Sequence, residues 1–342
     1  MPTPTKKKTA PSKWVFSSKK DFRQYYVGKN GYTPDDLAVV DHLQRQNLLP
    51  LVRGHELADF FGLSRRTLAG VLKTPAPHYR TFTVPKKMGG RRRIRTPHPF
   101  LKGLQSHIHS TILGRLDVHK SAHGYVSGRN TMTCATPHRR KRFLWNIDLR
   151  DFFAFVTEAR VVEVFHRVGY PAEAAQYLAK ICTLEGQLPQ GAPTSPALSN
   201  QVLLPVDEKL AVFCRKNKVC YTRYADDLSL SSDSPISQEF QAEVQQILSE
   251  RGFEVNPKKS RLVGPACQRQ VVGLTINRKV SIPRKTRRRI RALFHQFRQD
   301  PAAFSERSSE LAGLANWVRQ FHKREGNAYL KRLQTITTKL SH

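Results

Sequence analysis

Two adjacent aspartates, Asp226 and Asp227, lie in a chain in which acidic residues are scarce. The surrounding stretch VCYTRYADDLSLSS (219–232) predicts two strand-like runs around a tight acidic turn. Side chains of a strand alternate between its faces, so adjacent carboxylates converge only at a turn. There they repel each other and are poorly hydrated, which keeps one of them protonated unless a cation intervenes. Hard carboxylate oxygens suit Mg²⁺, so this pair is a candidate metal site.

A third carboxylate, Asp148, ends the apolar run FLWNIDL (143–149), which predicts another strand. Beside Asp226 and Asp227 it would complete a site for two Mg²⁺ ions about 3.5–4 Å apart. Such a site activates an attacking oxygen and stabilises a leaving pyrophosphate. The alternative is an exposed acidic turn, with Asp148 as a capping residue.

The overall composition indicates a polyanionic partner. The 342 residues hold 58 Lys and Arg against 26 Asp and Glu, a formal net charge of +32. A compact chain this basic repels itself unless counter-charge is near, and nucleic acid is the commonest candidate. Residues 1–20 contain six Lys and no acid, so residues 1–30 are predicted to form a basic flexible arm.

Other features of the sequence exclude or disfavour several classes of protein. No run approaches the roughly 20 apolar residues of a membrane span. The opening stretch MPTPTKKKTAPSK lacks the apolar segment of a secretory signal. Five cysteines, with no CxxC pair, disfavour a disulfide framework or a zinc site. We therefore expect a cytoplasmic protein without membrane association.

Helical and strand-like stretches interleave without a regular β–α–β rhythm, which predicts the α+β class. The segment 56–72 is superficially similar to a helix-turn-helix, although we favour two short packed helices. A Gly-Gly turn joins 79–87 to 91–96 in a predicted basic hairpin. Further predicted elements are helices at 36–51, 101–116, 157–185 and 237–252, a loop running into a helix at 188–204, a hairpin at 269–283 and a basic helical tail from Arg284.

Five motifs occur in the order and spacing of the palm motifs of reverse transcriptases, and the chain resembles that family. They are NIDLRDFF (146–153), LPQGAPTSPALSN (188–200), TRYADDLSLS (222–231), GFEVNPKKS (252–260) and VVGLTIN (271–277). The resemblance implies a right-hand polymerase fold, with N-terminal helices and fingers at 31–142, a palm at 143–283 and a basic helical thumb at 284–342. Only 65 residues follow VVGLTIN, which predicts no RNase H domain.

Further elements resemble the retron class of bacterial reverse transcriptases. SAHGYVSGRN (121–130) is similar to their AHGF…GRS element. CATPH (134–138) and VVG (271–273) stand where retron enzymes carry NAxxH and VTG, with Cys134 replacing Asn and Val272 replacing Thr. Those elements are associated with recognition of the retron RNA, so the resemblance implies RNA-binding roles for His138 and Val272.

The family resemblance also implies residues for metal and nucleotide binding. The catalytic set would be Asp148, Asp226 and Asp227, with the backbone carbonyl of Leu149 as a further metal ligand. Phe153 falls on the steric-gate position, where a ring would exclude a ribose 2′-OH; the alternative is a core Phe. Gln190 and Gly191 match the loop that lines the nucleotide pocket.

Basic residues would bind the phosphates of the substrates. Lys87, Arg91, Arg93 and Arg95 would lie over the incoming triphosphate, and among the arginines we favour Arg93. Lys258 or Lys259 would lie near the leaving pyrophosphate. Arg287, Arg288 and Arg291 of the thumb would follow the RNA backbone. Trp317, Phe321 and Tyr329 would either stack on bases or pack in a core.

The resemblance as a whole implies an RNA-directed DNA polymerase that uses a cognate structured non-coding RNA as template and primer. It would extend a guanosine 2′-OH with dNTP substrates to make branched msDNA, in anti-phage defence with a separate effector protein and host RNase H. The alternatives are an intron-type or abortive-infection-type reverse transcriptase, or a non-catalytic nucleic-acid-binding regulator. The set of three aspartates argues against a regulator, since a pure binder gains nothing from acids beside phosphate.

Overall fold

The structure is a computed structural model that describes residues 25–27, 31–85 and 89–340. Its backbone contacts define two compact units. The first contains residues 1–127, 149–210 and 244–255, and the second contains 128–148, 211–243 and 256–342. Most of the predicted basic arm and the predicted phosphate ligand Lys87 lie outside the described residues. The boundaries of fingers, palm and thumb stay a prediction.

Helices and antiparallel strands alternate along the chain, which confirms the α+β class. The elements in chain order are α1 (Pro34–Arg45), α2 (Glu56–Phe60), α3 (Arg65–Lys73), β1 (Tyr79–Pro85), β2 (Arg91–Pro97), α4 (Pro99–Thr111), α5 (Thr131–Ala135), β3 (Phe143–Asp148), α6 (Phe152–Phe155), α7 (Glu158–Val168), α8 (Ala172–Cys182), α9 (Ser195–Lys216), β4 (Cys220–Tyr224), β5 (Asp227–Ser232), α10 (Gln238–Ser249), β6 (Arg261–Val263), β7 (Gln270–Val271), β8 (Leu274–Thr275), α11 (Arg284–Gln299), α12 (Ser308–Phe321) and α13 (Lys323–Leu340). None of the helices within the described ranges has the length and apolarity of a membrane span.

The helix pair α2 and α3 in the first unit is packed into the fold. Ser64 begins α3 as its N-cap, and its hydroxyl accepts a hydrogen bond from the Thr67 amide. Glu56 of α2 is fully buried and accepts hydrogen bonds from the hydroxyls of Tyr26 and Tyr32. Segment 56–72 therefore consists of two short packed helices, as favoured from the sequence.

The basic hairpin β1–β2 also belongs to the first unit. The strands pair antiparallel from Tyr79 opposite Pro97 to Pro85 opposite Arg91. Gly89 and Gly90 have φ angles of +89° and +81°, a conformation that glycine adopts without steric cost. The predicted basic hairpin is thereby confirmed, with the two glycines directly before β2.

A four-stranded antiparallel sheet in the order β4-β5-β3-β6 organises the second unit. Strand β3 lies between two partners, and its residues Leu144, Trp145 and Ile147 are all buried. Its register with β5 places Asp148 directly opposite Asp227. The sheet therefore brings together, at one end of two neighbouring strands, carboxylates that are far apart in sequence.

The C-terminal helices α11, α12 and α13 share a hydrophobic core within the second unit. Tyr329 is buried and its ring stacks on Phe294 with a centroid distance of 4.0 Å. Trp317 and Phe321 are partly buried against the same core. For Tyr329 the core interpretation is confirmed over base stacking.

Candidate active site

The three aspartates predicted as catalytic belong to one edge of the β3–β5 pair. Asp148 ends β3, Asp227 begins β5, and Asp226 occupies the turn between β4 and β5. Directly opposed residues of antiparallel strands have Cβ atoms about 4.5–5.5 Å apart. Like charges in such positions destabilise a sheet unless a cation lies near them.

Partial burial and the neighbouring negative charges both act on the carboxyl group of Asp227. The side chain keeps a solvent-exposed side, but the atoms packed around the carboxyl group remove part of its hydration. That desolvation, followed by the charges of Asp226 and Asp148, raises the pKa of Asp227 to about 6. Lys259 acts in the opposite direction. An ionised carboxylate cluster is therefore stabilised by added positive charge.

Asp148 is held by two residues from the segment that follows α10. The Lys259 ammonium donates to both carboxylate oxygens, at 2.9 and 3.0 Å. The side-chain amide of Asn256 donates to Oδ2 at 3.1 Å, and its backbone amide donates to the Asp148 carbonyl at 2.8 Å. The hydrogen bond to Asp148 raises the pKa of Lys259. Asn256 was missed by the sequence analysis, although it lies within the motif GFEVNPKKS.

The turn before the aspartate pair depends on a buried arginine. Ala225 has a φ of +58°, a left-handed conformation that is uncommon for residues with a side chain. The Arg223 guanidinium is almost fully buried and donates to the Ala225 carbonyl at 3.0 Å. Burying a guanidinium is unfavourable without hydrogen bonds, so Arg223 is a positioning residue for this turn. Sequence patterns gave no sign of it, because Lys and Arg are usually exposed.

The residues predicted to line the nucleotide pocket lie in the first unit. The Gln190 carbonyl accepts a hydrogen bond of 2.7 Å from the Arg95 amide of β2. Gly191 has a φ of +120°, and a Cβ at this position would lie 3.0 Å from the Arg95 carbonyl oxygen. Close approach of the loop to β2 therefore requires glycine. The loop therefore packs directly against strand β2 of the basic hairpin.

The alternating arginines of β2 differ in their partners. Arg91 donates to the Thr83 hydroxyl at 2.9 Å, and Arg95 forms an ion pair with Glu185 at 2.8 Å. Arg93 is exposed, and within the described parts of the chain it has no ion-pair partner. This difference favours Arg93 as the phosphate ligand, which stays a prediction.

Of the two adjacent phenylalanines, Phe152 belongs to the core and Phe153 lies nearer the surface. Phe152 is buried against Phe253, at a ring-centroid distance of 5.9 Å. Phe153 is half-buried, and its ring meets that of Phe152 edge-on at a centroid distance of 5.3 Å. A half-buried ring is compatible with a steric gate, and the role stays a prediction.

The two residues implied in RNA recognition occupy different environments. His138 is fully buried, and its ring nitrogens lie 2.6 Å from the Ser231 hydroxyl and 2.7 Å from the Thr222 hydroxyl. In this structure the side chain is thus enclosed and links strands β4 and β5, and its RNA-binding role stays a prediction. Val272 is half-buried at the β7–β8 turn, with a φ of +46°. Its RNA role stays a prediction.

The predicted thumb arginines lie on α11. Arg287 and Arg291 pair with Glu325 of α13, at 2.6 and 3.3 Å. Arg288 is exposed. All three line one cavity of the second unit, and their contact with RNA stays a prediction.

The donor set at the β3–β5 edge fits a divalent cation. The three carboxylates supply the oxygen ligands that Mg²⁺ prefers, and the predicted ligand role of the Leu149 carbonyl stays a prediction. Desolvation and the charges of Asp226 and Asp148 raise the pKa of Asp227, and a bound cation would offset both effects. Across the described ranges, however, no three His, Cys, Asp or Glu side chains form a ready-made metal cluster. Asp148 is instead turned toward Lys259 and Asn256.

Comparison with known proteins defines the class. A family model for reverse transcriptase, the RNA-dependent DNA polymerase, matches residues 84–276. That match covers more than half of the chain and includes all three aspartates. The chain belongs to the reverse transcriptase family.

Individual relatives narrow the class to the retron type. The retron Mx65 reverse transcriptase of Myxococcus xanthus is 37% identical over 274 residues, which cover 75% of this chain and 64% of the relative. The retron Ec86 reverse transcriptase of Escherichia coli is 34% identical over 299 residues, covering 85% and 91%. The retron Mx162 reverse transcriptase of Myxococcus xanthus is 31% identical, covering 78% and 62%. The predicted membership of the retron class is confirmed, and the chain spans somewhat less than two thirds of the Myxococcus relatives.

Solved structures add little to this assignment. A structure of telomerase from Candida albicans with a fragment of telomeric RNA aligns with 74% of this chain at a TM-score of 0.42 and 12% identity, covering 56% of that protein. Likeness at this level is too low to decide details of the fold.

Proposed function

We propose that this protein is an RNA-directed DNA polymerase of the retron class. The observation that carries the proposal is the carboxylate edge, where Asp148 opposes Asp227 across two strands and Asp226 lies in the adjoining turn. Repelling acids on the edge of a basic protein are costly unless they serve a cation. Membership of the reverse transcriptase family supports the same chemistry.

The metal would be Mg²⁺, with two ions held by Asp148, Asp226, Asp227 and the Leu149 carbonyl. Bound there, divalent ions lower the pKa of the attacking hydroxyl and stabilise charge on the leaving pyrophosphate. Asn256 orients the Asp148 carboxylate through its 3.1 Å hydrogen bond. The Lys259 ammonium, already at this edge, supplies positive charge near the pyrophosphate. Arg223 holds the turn that presents Asp226 and Asp227.

Selection of the incoming dNTP is assigned to residues of the first unit. Phe153 would exclude a ribose 2′-OH by its ring, while Gln190 and Gly191 line the base and sugar. Arg93 and Lys87 would bind the triphosphate. Support comes from the loop contact between Gln190 and β2 and from the exposed, unpaired state of Arg93 within the described residues.

The template and primer would be a cognate structured RNA. Retron-type membership supports initiation at a guanosine 2′-OH and a branched msDNA product. The net charge of +32 supports a nucleic-acid partner. Removal of template RNA by host RNase H, a separate effector protein, a part in anti-phage defence and a cytoplasmic location complete the proposal.

The decisive test is Mg²⁺-dependent dNTP incorporation on a primed RNA template, and on the native retron locus by co-expression. Wild type is compared with the Asp226→Asn, Asp227→Asn double variant, which we expect to lose synthesis while keeping RNA binding. Asp233→Asn, an exposed acid at the other end of β5 paired with Lys141, is the matched control. No DNA from wild type on either template would refute the proposal. Loss of RNA binding in the double variant would make the aspartates structural.

A further inference from the structure

The face of the four-stranded sheet that carries the carboxylate edge also carries a row of buried hydroxyl groups. Side chains two positions apart on a strand share a face, so Asp227 of β5 lies on the same face as Ser229 and Ser231. Thr222 of β4 is paired with Ser229 and belongs to this face as well. The three hydroxyl-bearing residues are no more than 3% exposed. A buried hydroxyl is unfavourable without a hydrogen-bond partner, so each of them needs one.

His138 is the partner of two of these hydroxyl groups. It lies in the single helical turn that precedes β3, and its side chain is fully buried. Its Nε2 atom lies 2.7 Å from the Thr222 hydroxyl, and its Nδ1 atom lies 2.6 Å from the Ser231 hydroxyl. One imidazole ring therefore ties β4 to β5, four residues before Asp226 and four residues after Asp227.

A neighbouring carbonyl group fixes the directions of these hydrogen bonds. The Thr222 hydroxyl, which has a single proton, donates to the Cys134 carbonyl at 3.2 Å. Because a carbonyl can only accept, Nε2 of His138 must donate to the Thr222 oxygen. In the neutral ring Nδ1 then accepts from the Ser231 hydroxyl. The pattern assigns the tautomer of His138 and requires one donor and one acceptor at this position.

Cys134 connects this network to the carboxylate edge. Its thiol is fully buried and lies 3.2 Å from the Thr222 hydroxyl. Burial raises the pKa of the Cys134 thiol to about 11, and the negative charge of Asp227 contributes to the rise. The network therefore lies within electrostatic reach of one of the carboxylates that would bind the cation.

The third hydroxyl group joins β5 to β3 on the same face. Ser229 donates to the side-chain oxygen of Asn146 at 3.0 Å, and the two residues are directly opposite each other. The amide group of Asn146 donates in turn to the Gln270 carbonyl at 2.9 Å. The strands that carry Asp148 and Asp227 are thus linked by side chains only two positions away from those carboxylates.

We propose that His138 is a positioning residue for the carboxylate edge. By linking a hydroxyl of β4 to a hydroxyl of β5, it holds the two strands in the arrangement in which Asp226 and Asp227 bind a divalent cation. The inference rests on the proposed function only in taking this edge as a cation site. It gives His138 a role inside the protein, distinct from the RNA contact that the family resemblance implies.

Titration with Mn²⁺ alone, followed by electron paramagnetic resonance of the free ion, measures cation affinity without RNA or dNTP. The Asp226→Asn, Asp227→Asn variant gives the background. His138→Phe keeps a ring but removes both hydrogen bonds. Removal of groups that orient metal ligands weakens metal binding about 10–100-fold, and we expect about tenfold because His138 acts through the strands. His138→Gln keeps a donor and an acceptor and should restore most of the affinity.

Three outcomes of this titration would overturn the proposal. The first is wild-type affinity in His138→Phe. The second is an equal loss in His138→Phe and His138→Gln, which would assign the effect to packing. The third is a wild-type protein that binds no more Mn²⁺ than the background variant.

Two neighbouring serines provide a milder, matched pair of variants. Ser231 and Ser232 are both buried on β5, but their side chains belong to opposite faces. Ser232 donates to the Ser234 carbonyl and not to His138. Ser231→Ala should weaken Mn²⁺ binding about fivefold, the effect of one neutral hydrogen bond, whereas Ser232→Ala should leave it unchanged. Equal losses of Mn²⁺ affinity in both variants would reflect a general loss of stability and overturn the proposal.

RNA binding and DNA synthesis separate this role from the other two that are assigned to the site. In EDTA, fluorescence anisotropy should give His138→Phe the RNA affinity of wild type. A lower RNA affinity with unchanged Mn²⁺ affinity would support the RNA contact and overturn the positioning role. In dNTP incorporation, kcat of His138→Phe should fall at low Mg²⁺ and recover at high Mg²⁺, because mass action offsets weaker metal binding. Mn²⁺ binding that depends on His138, without DNA synthesis by wild type, would refute the polymerase and keep the positioning role.

Discussion

At the scale of single residues, the chemistry depends on charges that the protein itself does not fully balance. Asp227 has a pKa of about 6 in the folded chain against an ordinary value of 3.8. Lys259 offsets part of the repulsion through Asp148. Three acids and one lysine leave a net negative edge in a basic protein. Such an edge attracts cations, which is the property that the proposed polymerase activity would need there.

Asp227→Asn should therefore stabilise the metal-free protein. A pKa raised by folding means that the ionised carboxylate favours the unfolded chain. The resulting loss in the free energy of unfolding is small below about pH 4, grows as the pH rises, and reaches its full size above about pH 6. In EDTA we expect the melting temperature to rise by a few degrees at pH 7.5, and by less at pH 5. Asp233→Asn should give no rise, and an unchanged Asp227→Asn midpoint would contradict the electrostatic assignment.

Phe153→Ala should admit ribonucleotides. Removing the half-buried ring opens the space that a 2′-OH would occupy, without disturbing Phe152 in the core. We expect the ratio of kcat/KM for UTP over dTTP to rise at least about tenfold, or ~1.4 kcal/mol in discrimination. Phe153→Tyr keeps the ring and should keep the selection. If sugar selection is unchanged in Phe153→Ala, this residue is not the gate.

At the scale of elements, helices and strands that begin or end at a clear local sequence signal were predicted correctly. Ser64 caps α3, Gly89 and Gly90 directly precede β2 of the hairpin, and strand-prone runs flank the turn at Asp226. Capping and turn preferences act over a few residues, so they can be read from the chain alone. The aspartates were found for the same reason, since adjacent acids between apolar runs are a local pattern.

Features that depend on distant contacts were not predictable in this way. His138 was predicted to bind RNA, yet it is buried, and its ring nitrogens lie beside hydroxyl groups of β4 and β5. Asn256 and Arg223 support the aspartates only because the fold places them there. A hairpin was predicted over 269–283, but in the structure only two residue pairs form between β7 and β8. These features depend on burial and on pairing between distant parts of the chain, which a local sequence pattern does not determine.

The contact between the 188–194 loop and β2 should be sensitive to one methyl group. Gly191→Ala combines a φ of +120° with a Cβ only 3.0 Å from the Arg95 carbonyl oxygen and from Ile94. We expect a loss of about 1–3 kcal/mol in stability and a raised KM for dNTP. Gly186→Ala has a similar backbone penalty at φ +72° but open space around its Cβ. The Gly186→Ala variant should therefore lose stability, measured by thermal unfolding, and keep its KM for dNTP. If both variants raise KM equally, the 188–194 loop has no specific part in nucleotide binding.

At the scale of the whole molecule, charge sets the dependence of binding on salt. With a net charge of +32, the protein should make many phosphate contacts with a structured RNA. Between about 50 and 200 mM salt, we expect the affinity to fall roughly 10³-fold or more, as for six to ten contacts. Fluorescence anisotropy with the cognate RNA measures the slope. The Asp226→Asn, Asp227→Asn variant should have the same slope, and a nearly salt-independent affinity would contradict a backbone-dominated interface.

The second unit is assembled from three separated stretches of the chain, and this has a consequence during synthesis. Asp148 and its cross-strand partner Asp227 are 79 positions apart, so β3 leaves the ribosome long before β5 exists. Strand β6 and the C-terminal helices follow later still. Until β5 and β6 are synthesised, the backbone amides of β3 lack their partners in the sheet, and the strand can aggregate or bind chaperones. Nascent chains stalled before residue 227 cannot have formed the carboxylate edge, so this centre is completed late in translation.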